Sequence, residues 1–175
     1  MNYHLRFGPE KISDLAQEYS YGDQTSETRI VHEIGPRVRS SGFYAKSDFL
    51  ELCYWKTPRT QPSCRRNDGA FIEEVTKIAL GTQNERLRIE TLTLLDGVSW
   101  PTASVLLHFG HREPYPILDF RALWSLEIDL PGSYDFEFWW GYVVACRDLA
   151  TRYRLDMRTL DRALWQYSKE NQKQD

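Results

Sequence analysis

The sequence predicts an all-α fold, and three observations lead to this expectation. Apolar residues recur at helical spacing along most of the chain, whereas no segment alternates apolar and polar residues in the pattern of a β-strand. Hydrophobic residues make up 41% of the 175 residues and aromatic residues 14%, which is typical of a folded protein. No internal repeat or low-complexity linker divides the chain, so we expect a single helical domain over residues 1–175.

Apolar residues at helical spacing predict helices along most of the chain. The expected helices cover residues 9–20, 25–40, 46–55, 69–80, 83–95, 101–109, 120–127, 135–153 and 158–170. Pro9 and Pro101 fit a first helical turn, where the missing N–H costs little, whereas Pro36 is expected to break or bend its helix. Gly81 is typical of a helix end. Residues 56–69, with two prolines and a glycine, form the most loop-like segment.

The charge pattern argues against a protein that wraps nucleic acid nonspecifically. The formal net charge is −3, and such binding requires a strongly basic surface. A local basic face remains compatible with this charge. Basic residues cluster at Lys56, Arg59, Arg65, Arg66, Arg86 and Arg88.

The cysteine and histidine patterns predict no metal site. Cys53, Cys64 and Cys146 include no C-x-x-C pair, and His108 and His111 have no evident third ligand nearby, so both histidines are expected to be solvated. An odd number of cysteines without a signal peptide is typical of the reducing cytoplasm. No apolar run approaches the ~20 residues of a membrane span, so no membrane partner is expected.

A glycine turn at Gly97-Val98 joins two apolar helical segments and is the most informative feature of the chain. Backbone N–H groups in such a turn, and at the start of the following helix, are suited to binding a phosphate. Asp119 follows one helix later, just before another helical segment. Locally, Asp119 is compatible with a simple helix N-cap, and Gly97 with an ordinary turn between packed helices. A cap and a functional role are compatible with each other.

These residues resemble a known family. The pattern L-x-G-V-x-x-x-T-A-S at residues 95–104, followed by I-L-D-F-R-A-L at 117–123, is similar to the helix-hairpin-helix DNA glycosylase superfamily. This superfamily includes endonuclease III, 8-oxoguanine glycosylase and 3-methyladenine glycosylase. The resemblance implies an all-α, helix-hairpin-helix DNA glycosylase-like bundle. Its hairpin motif would cover about residues 85–109. The loop and helix that carry the aspartate would cover residues 110–127.

The resemblance also implies roles for the hairpin residues. Gly97 and Ser99, with Val98 buried between them, would form the turn whose amides bind a DNA phosphate. Thr102 and Ala103 would open the second hairpin helix, close to the DNA backbone. Double-stranded DNA is therefore the expected partner. No cofactor is implied, although a monovalent cation at the hairpin carbonyls is compatible with the motif.

Asp119 matches the catalytic aspartate of the superfamily, which stabilises the cationic sugar as the base leaves and helps to activate water. Cleavage of a glycosidic bond builds oxocarbenium-like charge, which a fixed anion in a water-poor site stabilises. Pro101 stands where bifunctional members carry a lysine nucleophile. Because proline has no amine, the resemblance implies a monofunctional enzyme that leaves an abasic site.

Other residues are candidates for the base pocket or for DNA contact. Aromatic walls are needed to hold a base that has left the stack. The pocket candidates are Tyr54, Trp55, Lys56, Trp100, Phe120 and Arg121, and Arg59 is a further DNA-binding candidate. The alternatives are a core Trp55 beside a solvated loop, a Trp100 that seals the hairpin against the core, and an Arg121 paired with a carboxylate.

Helical spacing assigns several further residues to structural positions. Trp139, Trp140 and Trp165 are expected in the core. Asp161 and Arg162 are expected to form a pair on a helix surface.

Three functional hypotheses follow. The first is a cytoplasmic, monomeric, monofunctional DNA glycosylase that flips and excises a base. That base would be either damaged, as in DNA repair, or one of the modified bases that some bacteriophages carry, which would make the protein an antiviral defence factor. The second is a non-catalytic helix-hairpin-helix DNA-binding module. The third is a structural or protein-interaction domain that keeps only the fold.

Overall fold

The computed structural model describes residues 2–173, and every regular element within them is a helix. The all-α prediction is therefore confirmed. Residues 1, 174 and 175 of the predicted domain lie outside the described part. The α-helices are α1 (Ile12–Glu18), α2 (Gln24–Arg29), α3 (Gly35–Ser41), α4 (Lys46–Lys56), α5 (Gln61–Cys64), α6 (Gly69–Gly81), α7 (Glu85–Leu92), α8 (Trp100–Gly110), α9 (Phe120–Ser125), α10 (Phe136–Tyr153) and α11 (Met157–Asn171).

Polar N-cap residues explain why the sequence indicates so many of these boundaries. In each case a side-chain oxygen accepts a backbone N–H of the first turn, which would otherwise have no partner. The capping residues for α2, α6, α7, α10 and α11 are Asp23, Asp68, Asn84, Asp135 and Asp156.

Two segments differ from the sequence-based expectation. The helical path through residues 24–41 is not broken at Pro36. It widens into a π-helical segment at Ile30–Ile34 and resumes as α3, with Pro36 in the first turn. The loop expected at 56–69 contains a 3-10 turn (Pro58–Thr60) and the short α5, both of which have a proline near the start.

The chain divides into two compact units. Unit 1 comprises Met1–Ser20 and Pro114–Asp175, and unit 2 comprises Tyr21–Glu113. In unit 1, α11 packs against α1, α9 and α10. Fully buried side chains of this unit include Ile12, Leu118, Leu123, Trp139, Tyr142, Leu160 and Leu164.

Unit 2 contains the predicted hairpin. Here α8 packs against α3, α4 and α7, and α6 packs against α7. Its fully buried side chains include Phe49, Leu52, Ile72, Ile89, Leu92, Val105 and Leu106. Among residues 2–173, no helix combines the length and apolarity needed to cross a membrane.

Candidate functional site

The predicted hairpin in unit 2 consists of α7, a turn and α8, and Gly97 is its tightest point. Gly97 has a φ of 82°, in the left-handed region, which glycine adopts without the steric cost of a side chain. A Cβ built at this position would lie 2.7 Å from the Sγ of Cys64 and 3.0 Å from its backbone nitrogen. Both the backbone conformation and the space therefore require glycine at this point of the turn.

The residues after Gly97 fit the same motif. Val98 is 8% exposed, as expected for the residue buried within the turn, and its N–H bonds to the carbonyl of Leu95 at 3.0 Å. Ser99 has a φ of −102° and a ψ of 174°. Because this is extended backbone with negative φ, serine takes the position without strain.

Asn67, a residue that sequence reasoning missed, holds the turn from the side. Its Nδ2 donates to the carbonyls of Asp96 (2.9 Å) and Cys64 (3.0 Å), and its Oδ1 accepts the Asp96 N–H at 2.8 Å. The Asn67 side chain is buried. Arg66 adds an exposed ion pair to the Asp96 carboxylate at 3.2 Å. No local pattern predicts the Asn67 contacts, because they join segments that are far apart in sequence.

The start of α8 is largely buried. Thr102 and Ala103 are 2% and 0% exposed, and the Ala103 N–H already bonds to the Ser99 carbonyl at 2.8 Å. Trp100 is half-buried and Ser99 is exposed. The solvent-facing part of the hairpin is therefore the turn itself, while Thr102 and Ala103 support it from the core.

Asp119 in unit 1 is the N-cap of α9. Its Oδ1 accepts the Arg121 N–H at 3.0 Å, and its side chain is half-buried. The local prediction of a cap is thus confirmed. Asp119 as a residue is only half-buried, so it is not sealed inside unit 1.

The backbone that leads to Asp119 is held by two buried side chains. Asp161 accepts the Ile117 N–H at 3.3 Å, and the Tyr142 hydroxyl donates to the Ile117 carbonyl at 2.9 Å. Burial raises the pKa of Tyr142, which keeps its hydroxyl protonated as a donor. Asp161 also bonds to Arg158 and is buried. The expectation of a surface pair between Asp161 and Arg162 is therefore wrong.

Beside Asp119, aromatic rings and cations interleave in what we call the aromatic–cation cluster. Its members are Tyr19, Phe120, Arg121, Arg162, Trp165 and Lys169. Arg121 Cζ lies 5.1 Å from the centroid of the Phe120 ring and 5.6 Å from that of Trp165.

Of the three tryptophans expected in the core, only Trp139 is fully buried. Trp140 and Trp165 are half-buried.

The Tyr54–Arg59 segment of unit 2 splits into buried and exposed residues. Tyr54 is 57% exposed and Arg59 is also exposed, whereas Lys56 is half-buried. Trp55 is 8% exposed and forms edge contacts with Tyr21 and Phe109, at centroid distances of 5.0 and 5.5 Å. This placement favours the core alternative for Trp55.

Arg88, counted among the basic cluster, is internal. Its buried guanidinium bonds to the carbonyls of Ala79 (3.0 Å) and Thr82 (2.5 Å), where α6 ends. Arg88 Nη1 also lies 2.7 Å from His111 Nε2. Burial, and then the Arg88 charge, lower the pKa of His111. Arg88 therefore does not face a ligand, and the expectation of a fully solvated His111 is wrong.

The metal-binding side chains form no cluster within residues 2–173. No group of three or more His, Cys, Asp or Glu side chains there is arranged to hold a metal ion. The three cysteines are buried and unbridged.

Comparisons with protein-family models, curated proteins and solved structures give no match to this chain.

Proposed function

We propose that this protein is a monofunctional DNA glycosylase that hydrolyses the N-glycosidic bond of a flipped damaged or modified base. The hairpin supports this proposal most directly. Its glycine has a left-handed backbone, lies against Cys64 without room for a side chain, and stands in a turn that Asn67 fixes. A rigid turn that ends in the exposed Ser99 is suited to binding a DNA phosphate through backbone N–H groups.

In this proposal Asp119 supplies the chemistry. Its carboxylate would stabilise the positive charge that develops on the deoxyribose as the base leaves, and would orient the attacking water. The capping bond from the Arg121 N–H fixes the orientation of the carboxylate, and such pre-organisation is what electrostatic stabilisation requires. Pro101 offers no amine, so the product would be an abasic site with no covalent intermediate.

The second candidate is a non-catalytic DNA-binding module. One observation favours it: the N-cap bond from Asp119 to α9 accounts for an aspartate at this position without any chemistry. This candidate would keep the phosphate-binding role of the hairpin.

One experiment separates the two candidates. Duplexes that each carry one damaged or modified base are incubated with wild type or Asp119→Asn, then treated with alkali to cleave abasic sites. A glycosylase gives alkali-dependent cleavage that Asp119→Asn loses while it still binds DNA. DNA binding by both proteins without cleavage supports the binding module. Borohydride should trap no covalent adduct in either case, because the Pro101 position has no amine.

A further inference from the structure

The guanidinium of Arg121 lies close to two rings and has no anionic partner among residues 2–173. Its Cζ lies 5.1 Å from the Phe120 centroid and 5.6 Å from the Trp165 centroid. Within residues 2–173, no hydrogen bond or ion pair is made by this guanidinium. Stacking on rings leaves the in-plane N–H donors of arginine available. A half-buried cation with unused donors favours an anion as its ligand.

Neighbouring cations strengthen this preference. Arg162 Cζ lies 5.4 Å from the Tyr19 centroid, and Lys169 Nζ lies 5.4 Å from the Trp165 centroid. Two acidic groups nearby in sequence already have partners on α11 or on the loop before Asp119. Asp161 bonds to Arg158 and to the Ile117 N–H, and Glu170 accepts from Gln166 at 2.6 Å. In a chain with a net charge of −3, this cluster brings three cations, Arg121, Arg162 and Lys169, to the same group of rings.

The rings of the cluster indicate which kind of anion fits. Phe120 is 47% exposed, and the Tyr19 and Trp165 rings meet edge to face at 5.3 Å. An exposed ring beside cations is suited to a ligand that carries both phosphates and stackable bases. A nucleic-acid strand meets both requirements, whereas inorganic phosphate uses only the cations.

We infer that the aromatic–cation cluster is a second DNA-binding surface, separate from the hairpin, in which Arg121 binds a backbone phosphate and Phe120 stacks against a base. The identification of the strand as DNA rests on the proposed function. The surface lies on unit 1, in the same segment as Asp119. It would hold the strand close to the nucleotide on which Asp119 acts.

Arg6 provides a matched control in unit 1. Its Cζ lies 4.6 Å from the Trp124 centroid, and its guanidinium pairs with Glu127 at 3.4 Å. Arg6→Gln therefore removes the same charge and a similar stack from an arginine that already has a carboxylate partner. Arg121→Lys keeps the charge but loses the planar fork of donors.

The test measures affinity for a labelled 15-nucleotide single strand and its duplex over a range of salt concentrations. All variants carry Asp119→Asn, so that no base is released. Arg121→Gln should weaken binding about tenfold, as expected for one charge-assisted hydrogen bond. It should also reduce the salt slope by about 0.7 on the single strand and about 0.9 on the duplex. Arg121→Lys should restore the slope, and Phe120→Ala should weaken single-strand binding severalfold. Inorganic phosphate at matched ionic strength should not compete.

Several results would overturn this inference. Arg121→Gln that binds like Arg6→Gln, or Arg121→Lys that fails to restore the slope, contradicts a phosphate contact. Competition by inorganic phosphate alone would assign the site to a free anion. The proposed function can fail separately. If wild type releases no base but Arg121→Gln binds DNA selectively less well, the glycosylase proposal fails and this surface stands. If Asp119→Asn loses base release while Arg121→Gln binds DNA normally, the glycosylase proposal stands and the second DNA-binding surface is ruled out.

Discussion

The buried carboxylate of Asp161 accepts the backbone N–H of Ile117 at 3.3 Å, two residues before Asp119. On the other side of the same residue, the Tyr142 hydroxyl donates to the Ile117 carbonyl at 2.9 Å. Helices α10 and α11 thus fix both polar groups of one loop residue. In the proposed reaction, Asp161 and Tyr142 would act as positioning residues for Asp119, although both lie far from it in sequence.

Tyr142→Phe tests this positioning role. The change removes one hydroxyl and leaves the Ile117 carbonyl buried without its donor, which should lower the free energy of unfolding by about 1–3 kcal/mol. Base release should slow while DNA affinity is retained. Chemical denaturation, single-turnover kinetics and DNA titration measure the three quantities. Tyr153→Phe, at a half-buried tyrosine, should stay within about 0.5 kcal/mol of wild type. A Tyr142→Phe protein with unchanged stability would contradict the assigned bond.

Gly97→Ala should destabilise unit 2 for two separable reasons. Left-handed backbone costs a residue with a Cβ about 1–2 kcal/mol, and the new atom would also meet Cys64 Sγ at 2.7 Å. Gly42→Ala isolates the first cost, because Gly42 has a φ of 80° and no atom within 4 Å of a built Cβ. Gly81→Ala, in open space at the end of α6, should be neutral or stabilising. We expect the highest denaturation midpoint for Gly81→Ala, a lower one for Gly42→Ala and the lowest for Gly97→Ala. Equal midpoints for the last two would show that the Cys64 contact has no effect.

Asn67→Ala should destabilise the hairpin more than Arg66→Ala, which removes the ion pair with Asp96. The alanine removes one buried bond, to the Cys64 carbonyl, and two part-buried bonds, to the N–H and carbonyl of Asp96. A buried group left without a partner costs about 1–3 kcal/mol, and the part-buried groups cost less because water reaches them. Arg66→Ala removes only an exposed ion pair, worth at most about 1 kcal/mol. Urea unfolding compares the two variants, and DNA titration should rank them in the same order. A larger loss in Arg66→Ala would be the contrary result.

His111 should make stability depend on pH. Burial and the nearby Arg88 lower the pKa of His111 from 6.5, so the folded state favours the neutral ring. The contribution of neutral His111 to the free energy of unfolding is fully present above about pH 6.5. It is lost as the pH falls through the lowered pKa that His111 has in the folded state. Urea unfolding at pH 7.5 and 5.5 should show a larger loss for wild type than for His111→Asn. His32→Asn, at an exposed histidine, should behave like wild type. Equal losses of unfolding free energy between pH 7.5 and 5.5 in wild type and His111→Asn would show that His111 does not cause the pH dependence.

The sequence predicts helices better than the contacts between them. Local signals such as the Asp119 cap, the left-handed Gly97 and the apolar stripes act within a few residues, so the all-α fold and most helix ends are predictable. The sequence did not predict three features: the burial of Asp161, the Asn67 bridge and the approach of Arg121 to the Trp165 ring. Each depends on two segments that meet only after folding. Helical spacing alone cannot distinguish a buried carboxylate from one on the surface.

The rate of base release under single-turnover conditions tests the central claim most directly. The substrate is a duplex carrying the modified base that wild type excises, and the comparison is with Asp119→Asn at matched DNA occupancy. Loss of the charge that stabilises the sugar cation should lower the rate by about 10²–10³, with no more than a small change in affinity. Equal rates for wild type and Asp119→Asn, or no base release by wild type from any modified duplex, would contradict a catalytic Asp119.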